Sequence, residues 1–228
     1  YTIPNFQNPS GITMSFEKRK KMYALAKQYG VMILEDNPYG DLRISGQPVP
    51  TIKSLDRGGD RVIYLGSFSK ILAPALRVGF VVARNELASK LAVAKQTTDV
   101  HSNSLAQIIC NEFLTRWDVN EHIAGLQATY RKKAQTMCEA IDRYLAGKVT
   151  YRKPQGGLFL WCTLPDEIDM PDFCERCVKA GLALVPGNAF YTDESQPCHS
   201  FRVNYSTPSD EEIVKGVQIM AEIVKTFA

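Results

Sequence analysis

Three short apolar runs, at residues 31–34, 61–66 and 78–83, constrain this chain more than any other feature. An apolar run without polar alternation reads as a strand covered on both faces. Helical patterns fall between and after the runs, at residues 15–29 (Ser15 as cap, Lys18 to Lys21 as the solvated face, Gly30 as terminator), near 86–96 and at 104–116. Strand and helix therefore alternate through the first half, which predicts a mainly parallel α/β sheet. In such sheets ligands bind beyond the carboxyl ends of the strands. The first run ends at Glu35-Asp36 and the second leads into Ser67-Phe68-Ser69-Lys70, so Asp36 and Lys70 stand where chemistry is expected.

The second half reads differently. A long polar helix is expected at about 120–145, then short strands at 158–163, 183–185 and 200–205. A helix at 171–180 and a C-terminal helix from the Ser209 cap to the end complete an α+β pattern. Two domains are predicted, 1–118 and 119–228. With 45% hydrophobic and 22% charged residues over 228 positions, the chain can bury one sizeable core or two smaller ones and intrinsic disorder is excluded. A net charge of +3 is too small to argue for nucleic acid or an acidic membrane surface. No apolar run approaches the roughly 20 residues of a membrane span. The chain opens Tyr1-Thr2-Ile3-Pro4 without an initiator Met, and the expectation is a C-terminal part of a longer protein.

Six cysteines in a chain of this size do not read as a disulfide framework, which favours a reduced, intracellular setting. Cys174 and Cys177 have redox or half-zinc-site spacing, but they share an apolar helix face with Phe173 and Val178 and are expected as packed thiols. His101, His122 and His199 lack metal-ligand spacing. Ser67-Phe68-Ser69-Lys70 satisfies Ser-x-x-Lys, yet the Ser-Asp-Asn and Lys-Thr-Gly partners of a serine acyl-enzyme do not occur. Nucleotide-binding glycine motifs are absent as well. Gly156-Gly157 reads as a close approach of a strand rather than a phosphate cradle.

Asn8, Asp36, Tyr39, Ser67, Ser69, Lys70 and Arg77 form the most informative group. A lysine at a strand end can serve as a nucleophile once deprotonated, or it can be an ordinary surface lysine. A carboxylate ending a buried strand needs a cationic or donor partner, or it caps a loop. Ser67, Ser69 and Arg77 offer two hydroxyls and a guanidinium fork suited to phosphate, or they are turn hydroxyls and a surface charge. Taken together they meet the requirements of one phosphorylated cofactor.

The motifs Gln7-Asn8-Pro9-Ser10-Gly11, Glu35-Asp36-Asn37-Pro38-Tyr39, Ser67-Phe68-Ser69-Lys70 with Arg77-Val78-Gly79, and Arg202-Val203-Asn204-Tyr205 occur in order. This series resembles class I/II, fold type I, pyridoxal-phosphate (PLP) aminotransferases. Gly156-Gly157-Leu158-Phe159-Leu160-Trp161 and Pro186-Gly187-Asn188-Ala189-Phe190-Tyr191 resemble the 2-aminoadipate/kynurenine aminotransferase subgroup. The resemblance covers the whole chain.

The resemblance implies the C-terminal part of a PLP-binding large α/β domain over 1–118, followed by a small α+β domain over 119–228. It implies pyridoxal 5′-phosphate as cofactor. Lys70 would join PLP as a Schiff base and then carry the proton between the substrate α-carbon and the cofactor. Asp36 would pair with the protonated ring nitrogen. Tyr39 and Asn8 would hydrogen-bond the ring hydroxyl oxygen, and Ser67, Ser69 and Arg77 would hold the phosphate. Arg202, assisted by Asn8, would bind the substrate α-carboxylate. The implied reaction moves an amino group from an aromatic or 2-aminoadipate-like L-α-amino acid to a 2-oxo acid such as 2-oxoglutarate. A cytoplasmic homodimer is implied, with no membrane partner, and nucleic acid only if a DNA-binding domain precedes residue 1. The rival implication is a non-catalytic PLP-binding effector domain of a transcription regulator, which can keep the same lysine. In the family, the N-terminal portion supplies further phosphate and ring contacts, so this polypeptide alone is expected to bind PLP weakly.

Overall fold

The computed structural model describes residues 1–227. They form two compact units, one of Tyr1–Gln7 with Ile12–Gln127, the other of Asn8–Gly11 with the chain from Ala128 onward. Among the described residues no helix is long and apolar enough to cross a membrane.

In the first unit, helix α1 (Phe16–Tyr29) starts at Ser15, whose hydroxyl accepts the Lys18 N–H, and stops at Gly30 in the left-handed region. Strands β1 (Ile33–Asp36), β2 (Val62–Ser67) and β3 (Gly79–Val82) form a sheet in that order. β1 and β2 are parallel, with Asp36 opposite Leu65. Thr2 adds a parallel bridge to Glu35. β3 departs from the parallel expectation: it runs antiparallel to β2, with Ser67 opposite Gly79. The connection between them holds only a 3-10 turn at Pro74–Leu76. A parallel return would need a full crossover, usually a helix. Helices α2 (Asn85–Thr98), α3 (Ser104–Arg116) and α4 (Val119–Tyr144) follow, and the division between units falls inside α4.

Two of the apolar runs are less covered than their composition implies. β1 begins at Ile33 and alternates, with Ile33 and Glu35 buried and Leu34 exposed. β3 lies at the edge of the sheet, and Phe80, Val81 and Val82 are all exposed. Ile33 joins Ala26, Ile52 and Val62 in the core beneath α1. Buried Glu35 accepts the backbone N–H groups of Ile52 at 2.8 Å and Lys53 at 2.7 Å. Burial raises its pKa, against the opposing effect of those two donors.

Arg19 overturns the expectation of a solvated face over residues 18–21. Lys18, Lys20 and Lys21 are exposed, but Arg19 is fully buried. Its guanidinium donates to the carbonyls of Met14 (3.0 Å), Pro4 (3.0 Å) and Pro50 (3.0 Å) and to Asn5 Oδ1 (2.6 Å). It ties the N-terminal segment and the 49–50 loop to α1. Arg19→Met should therefore lower stability by about 3 kcal/mol or more, because several buried carbonyls lose their donor at once. Denaturant unfolding measures this, and a loss below about 1 kcal/mol would mean that water replaces the guanidinium.

In the second unit, β4 (Thr150–Tyr151), β5 (Phe159–Thr163), β6 (Val185–Pro186) and β7 (Ser200–Asn204) form an antiparallel sheet in the order β4-β5-β7-β6. Leu160, Cys162, Phe201 and Val203 point into the core, where helices α5 (Met170–Lys179) and α6 (Asp210–Lys225) supply Phe173, Cys177, Val217 and Met220. Side chains alternate across a strand, so Phe159, Trp161 and Arg202 share the opposite face. Cys174 and Cys177 are packed thiols, both raised to about 12 by burial. Ser209 opens α6 with a capping box, exchanging hydrogen bonds with Glu212. The helix stops at Lys225, capped by Thr226, rather than continuing to the end as expected; residue 228 lies outside the described residues. Tyr205 is buried and its hydroxyl donates to the Gly157 carbonyl at 2.8 Å.

Candidate active site

In the first unit, the carboxyl ends of β1 and β2 carry the candidate residues side by side. Asp36 ends β1, with its backbone N–H donating to the Thr2 carbonyl at 2.9 Å. One of its carboxylate oxygens accepts the Tyr1 hydroxyl at 2.5 Å. Burial and this hydrogen bond push the Tyr1 hydroxyl up to about 12, and the nearby Asp36 and Tyr39 add to the effect. Tyr39, three residues after Asp36, is buried. The turn that delivers Tyr39 is held by Asn37, whose side chain donates to the Tyr64 hydroxyl at 2.8 Å and accepts from Asn5 at 2.7 Å. A Cβ at Gly40 would sit 2.3 Å from the Asn37 side-chain amide, so a larger residue there would displace the side chain that makes these hydrogen bonds. Tyr1 and Asn37 were not among the sequence candidates. Their partners lie 27 to 35 positions away in sequence, a separation that local patterns do not reveal.

Beyond β2 the chain turns sharply. The Ser69 N–H donates to the Ser67 hydroxyl at 3.1 Å, and Leu72 and Ala73 both donate to the Phe68 carbonyl. Phe68 N–H donates to the Val78 carbonyl at 3.1 Å, extending the β2–β3 hairpin past Ser67. The hairpin end thus gathers Ser67, Ser69, Lys70 and Arg77 within one loop. Lys70 is half-buried on this loop, and among the described residues no hydrogen bond or ion pair engages its amine. Arg77 is exposed, with φ at 54°, a left-handed conformation that costs a side-chain-bearing residue some strain. Its guanidinium reaches back to the Pro74 carbonyl at 3.2 Å.

In the second unit, Arg202 and Asn8 meet directly. Arg202 stands on β7, opposite Trp161 of β5 and Val185 of β6. Its Nη1 donates to Asn8 Oδ1 at 2.6 Å. The Asn8–Pro9 peptide is cis, and Gly11, at φ 67°, brings this loop against the Phe159 carbonyl. The Arg202 guanidinium carbon lies over the Phe159 ring, 4.2 Å from its centroid, and over the Phe190 ring at 5.3 Å. Strand alternation could have placed Phe159 beside Arg202. Phe190 comes from a separate 3-10 turn, Gly187–Phe190, and left no such signal.

A family model described as aminotransferase class I and II matches residues 2–219. Aromatic-amino-acid aminotransferase 1 of Thermococcus litoralis is 41% identical over 225 residues, an alignment covering 99% of this chain and 54% of that protein. The 2-aminoadipate transaminase of Thermus thermophilus is 36% identical over 227 residues, covering 99% and 57%. The crystal structure of Pyrococcus horikoshii kynurenine aminotransferase in complex with PMP superposes with a TM-score of 0.93 at 40% identity, covering 99% of this chain and 55% of that one. The chain spans about half the length of the curated relatives it matches. With the motif order, the strand-end geometry and a family match over nearly its whole length in agreement, this chain belongs to the class I and II aminotransferases.

Proposed function

We propose that this chain forms the lysine-bearing part of a PLP-dependent transaminase, which moves an amino group from an aromatic or 2-aminoadipate-like L-α-amino acid to a 2-oxo acid such as 2-oxoglutarate. The observation that carries this reading is the half-buried, unengaged Lys70 amine on the loop that also holds Ser67, Ser69 and Arg77, beside the strand that ends in Asp36. The donor set fits the cofactor. Two hydroxyls and a guanidinium suit a phosphate, a carboxylate suits a protonated ring nitrogen, and a primary amine suits a carbonyl carbon. When bound, PLP supplies a cationic ring that accepts electron density from the substrate α-carbon.

The roles follow the family resemblance, and each residue's chemistry suits its own. Asp36, already oriented by the Tyr1 hydroxyl, would keep a proton on the ring nitrogen. Tyr39 and Asn8 would each serve as a hydrogen-bond partner of the ring oxygen. Ser67, Ser69 and Arg77 would hold the phosphate, and Lys70 would hold the cofactor and carry a proton to and from the substrate α-carbon. Arg202, steadied by Asn8, binds the α-carboxylate through its planar fork. Residues 1–118 then serve the cofactor-binding domain and 119–228 the small domain. The protein acts as a cytoplasmic homodimer in this reading, which follows the family resemblance.

An amino-donor screen on the intact protein with PLP and 2-oxoglutarate tests the proposal. Aromatic donors or 2-aminoadipate should turn over with ping-pong kinetics, at about 1–10³ s⁻¹ for a typical enzyme. PLP binding without turnover of any donor would instead support the effector-domain reading.

A further inference from the structure

Arg202 is held by more than its hydrogen bond. Its guanidinium carbon lies over two aromatic rings, Phe159 at 4.2 Å and Phe190 at 5.3 Å. Phe159 is buried on β5, fixed by the same register that places Trp161 opposite Arg202. Phe190 arrives differently. It ends the 3-10 turn Gly187–Phe190, and its ring meets Trp161 edge-on, with centroids 5.9 Å apart and planes at 77°. That turn presses on the start of β7. A Cβ at Gly187 would lie 2.3 Å from the Ser200 carbonyl oxygen and 2.9 Å from Trp161 Cη2. A backbone oxygen cannot yield, so only glycine lets the turn come near enough to place Phe190 over Arg202. The Asn188 side chain fastens the loop beyond by donating to the Glu194 carbonyl at 3.1 Å.

We infer that Phe159 and Phe190 are positioning residues that fix the plane of the Arg202 guanidinium, so that its edge recognises a substrate carboxylate. All five guanidinium N–H groups lie in its plane. Aromatic rings within about 6 Å of a guanidinium attract the cation, and a carbon ring has no lone pair to accept its N–H groups in the way a carboxylate does. Asn8 takes one in-plane donor at Nη1, which sets the rotation of the fork within that plane. A guanidinium restrained in this way loses less freedom when it accepts a bidentate carboxylate. This inference rests on the reading of Arg202 as the carboxylate anchor.

Phe190 is the residue to change, because it is partly exposed and its loss spares the core. Two phenyl probes separate carboxylate recognition from ring contact: 3-phenylpropanoate has the carboxylate and no amine, and 2-phenylethylamine has the amine and no carboxylate. Titration calorimetry on the intact, PLP-loaded protein should show Phe190→Leu weakening 3-phenylpropanoate by about 3–30-fold. The 2-phenylethylamine affinity should stay within about 2-fold, and Phe190→Tyr, which keeps an aromatic face, should restore the lost affinity. With L-phenylalanine as donor, KM should rise with kcat little changed. Equal weakening of both probes, or none of either, would overturn the inference. Arg202→Ala is the control that separates the two ideas. If it weakens 3-phenylpropanoate while Phe190→Leu does not, only the positioning role falls. If Arg202→Ala also leaves that affinity unchanged, the anchor reading falls with it.

Discussion

Alanine at position 70 is expected to eliminate the PLP that borohydride fixes covalently to the intact protein, and with it transamination. The amine sits half-buried on the loop after β2, and among the described residues no hydrogen bond or ion pair engages it. Positioned proton transfer alone contributes about 10²–10⁴-fold in rate, and the same amine is proposed as the point of covalent attachment. The fall in kcat should be at least of that order. Lys70→Arg should be as inactive as the alanine variant, since a guanidinium keeps the charge but not the nucleophile. Mass spectrometry of the borohydride-treated protein reads the result directly. Survival of the covalent adduct in Lys70→Ala would place the attachment elsewhere and remove the central assignment.

The second large effect concerns Arg202. If Arg202 is the carboxylate anchor proposed above, replacing it by alanine should cost about 1.5–3 kcal/mol, or roughly 10–150-fold in affinity. The loss should appear in KM for amino acids and 2-oxo acids. Amines lacking the carboxylate should be affected far less. Asn8 loses its guanidinium partner in the same variant, so Asn8→Ala should reproduce part of the defect and add little to Arg202→Ala. Equal losses for amino acids and amines would show that Arg202 supports the sheet rather than the substrate.

Much of this architecture was legible before any coordinates. Helix α3 occupies the stretch its pattern marked, Ser104–Arg116, because an Asn cap and apolar spacing agree there. The Ser15 and Ser209 caps fall where their chemistry requires. The candidate residues were legible because motif order survives in the sequence itself. Other features were not. Arg19 lies in a run of cations, and its carbonyl partners belong to segments that only the fold brings near. The direction of β3 was hidden because an apolar run does not encode the sense of its pairing, which the short connection decides. β4 is two residues long and carries no pattern of its own. Phe190 reaches Arg202 by way of a glycine turn, and nothing in its spacing announces that contact.

The open flank of β3 has a practical consequence. Phe80, Val81 and Val82 are each about half exposed, and one line of backbone amides and carbonyls finds no neighbouring strand among the described residues. Such a border is a template onto which another extended peptide can zip. Produced as a stand-alone piece, this polypeptide should therefore tend to precipitate, and a lysine introduced at Val81 would act as a gatekeeper against it.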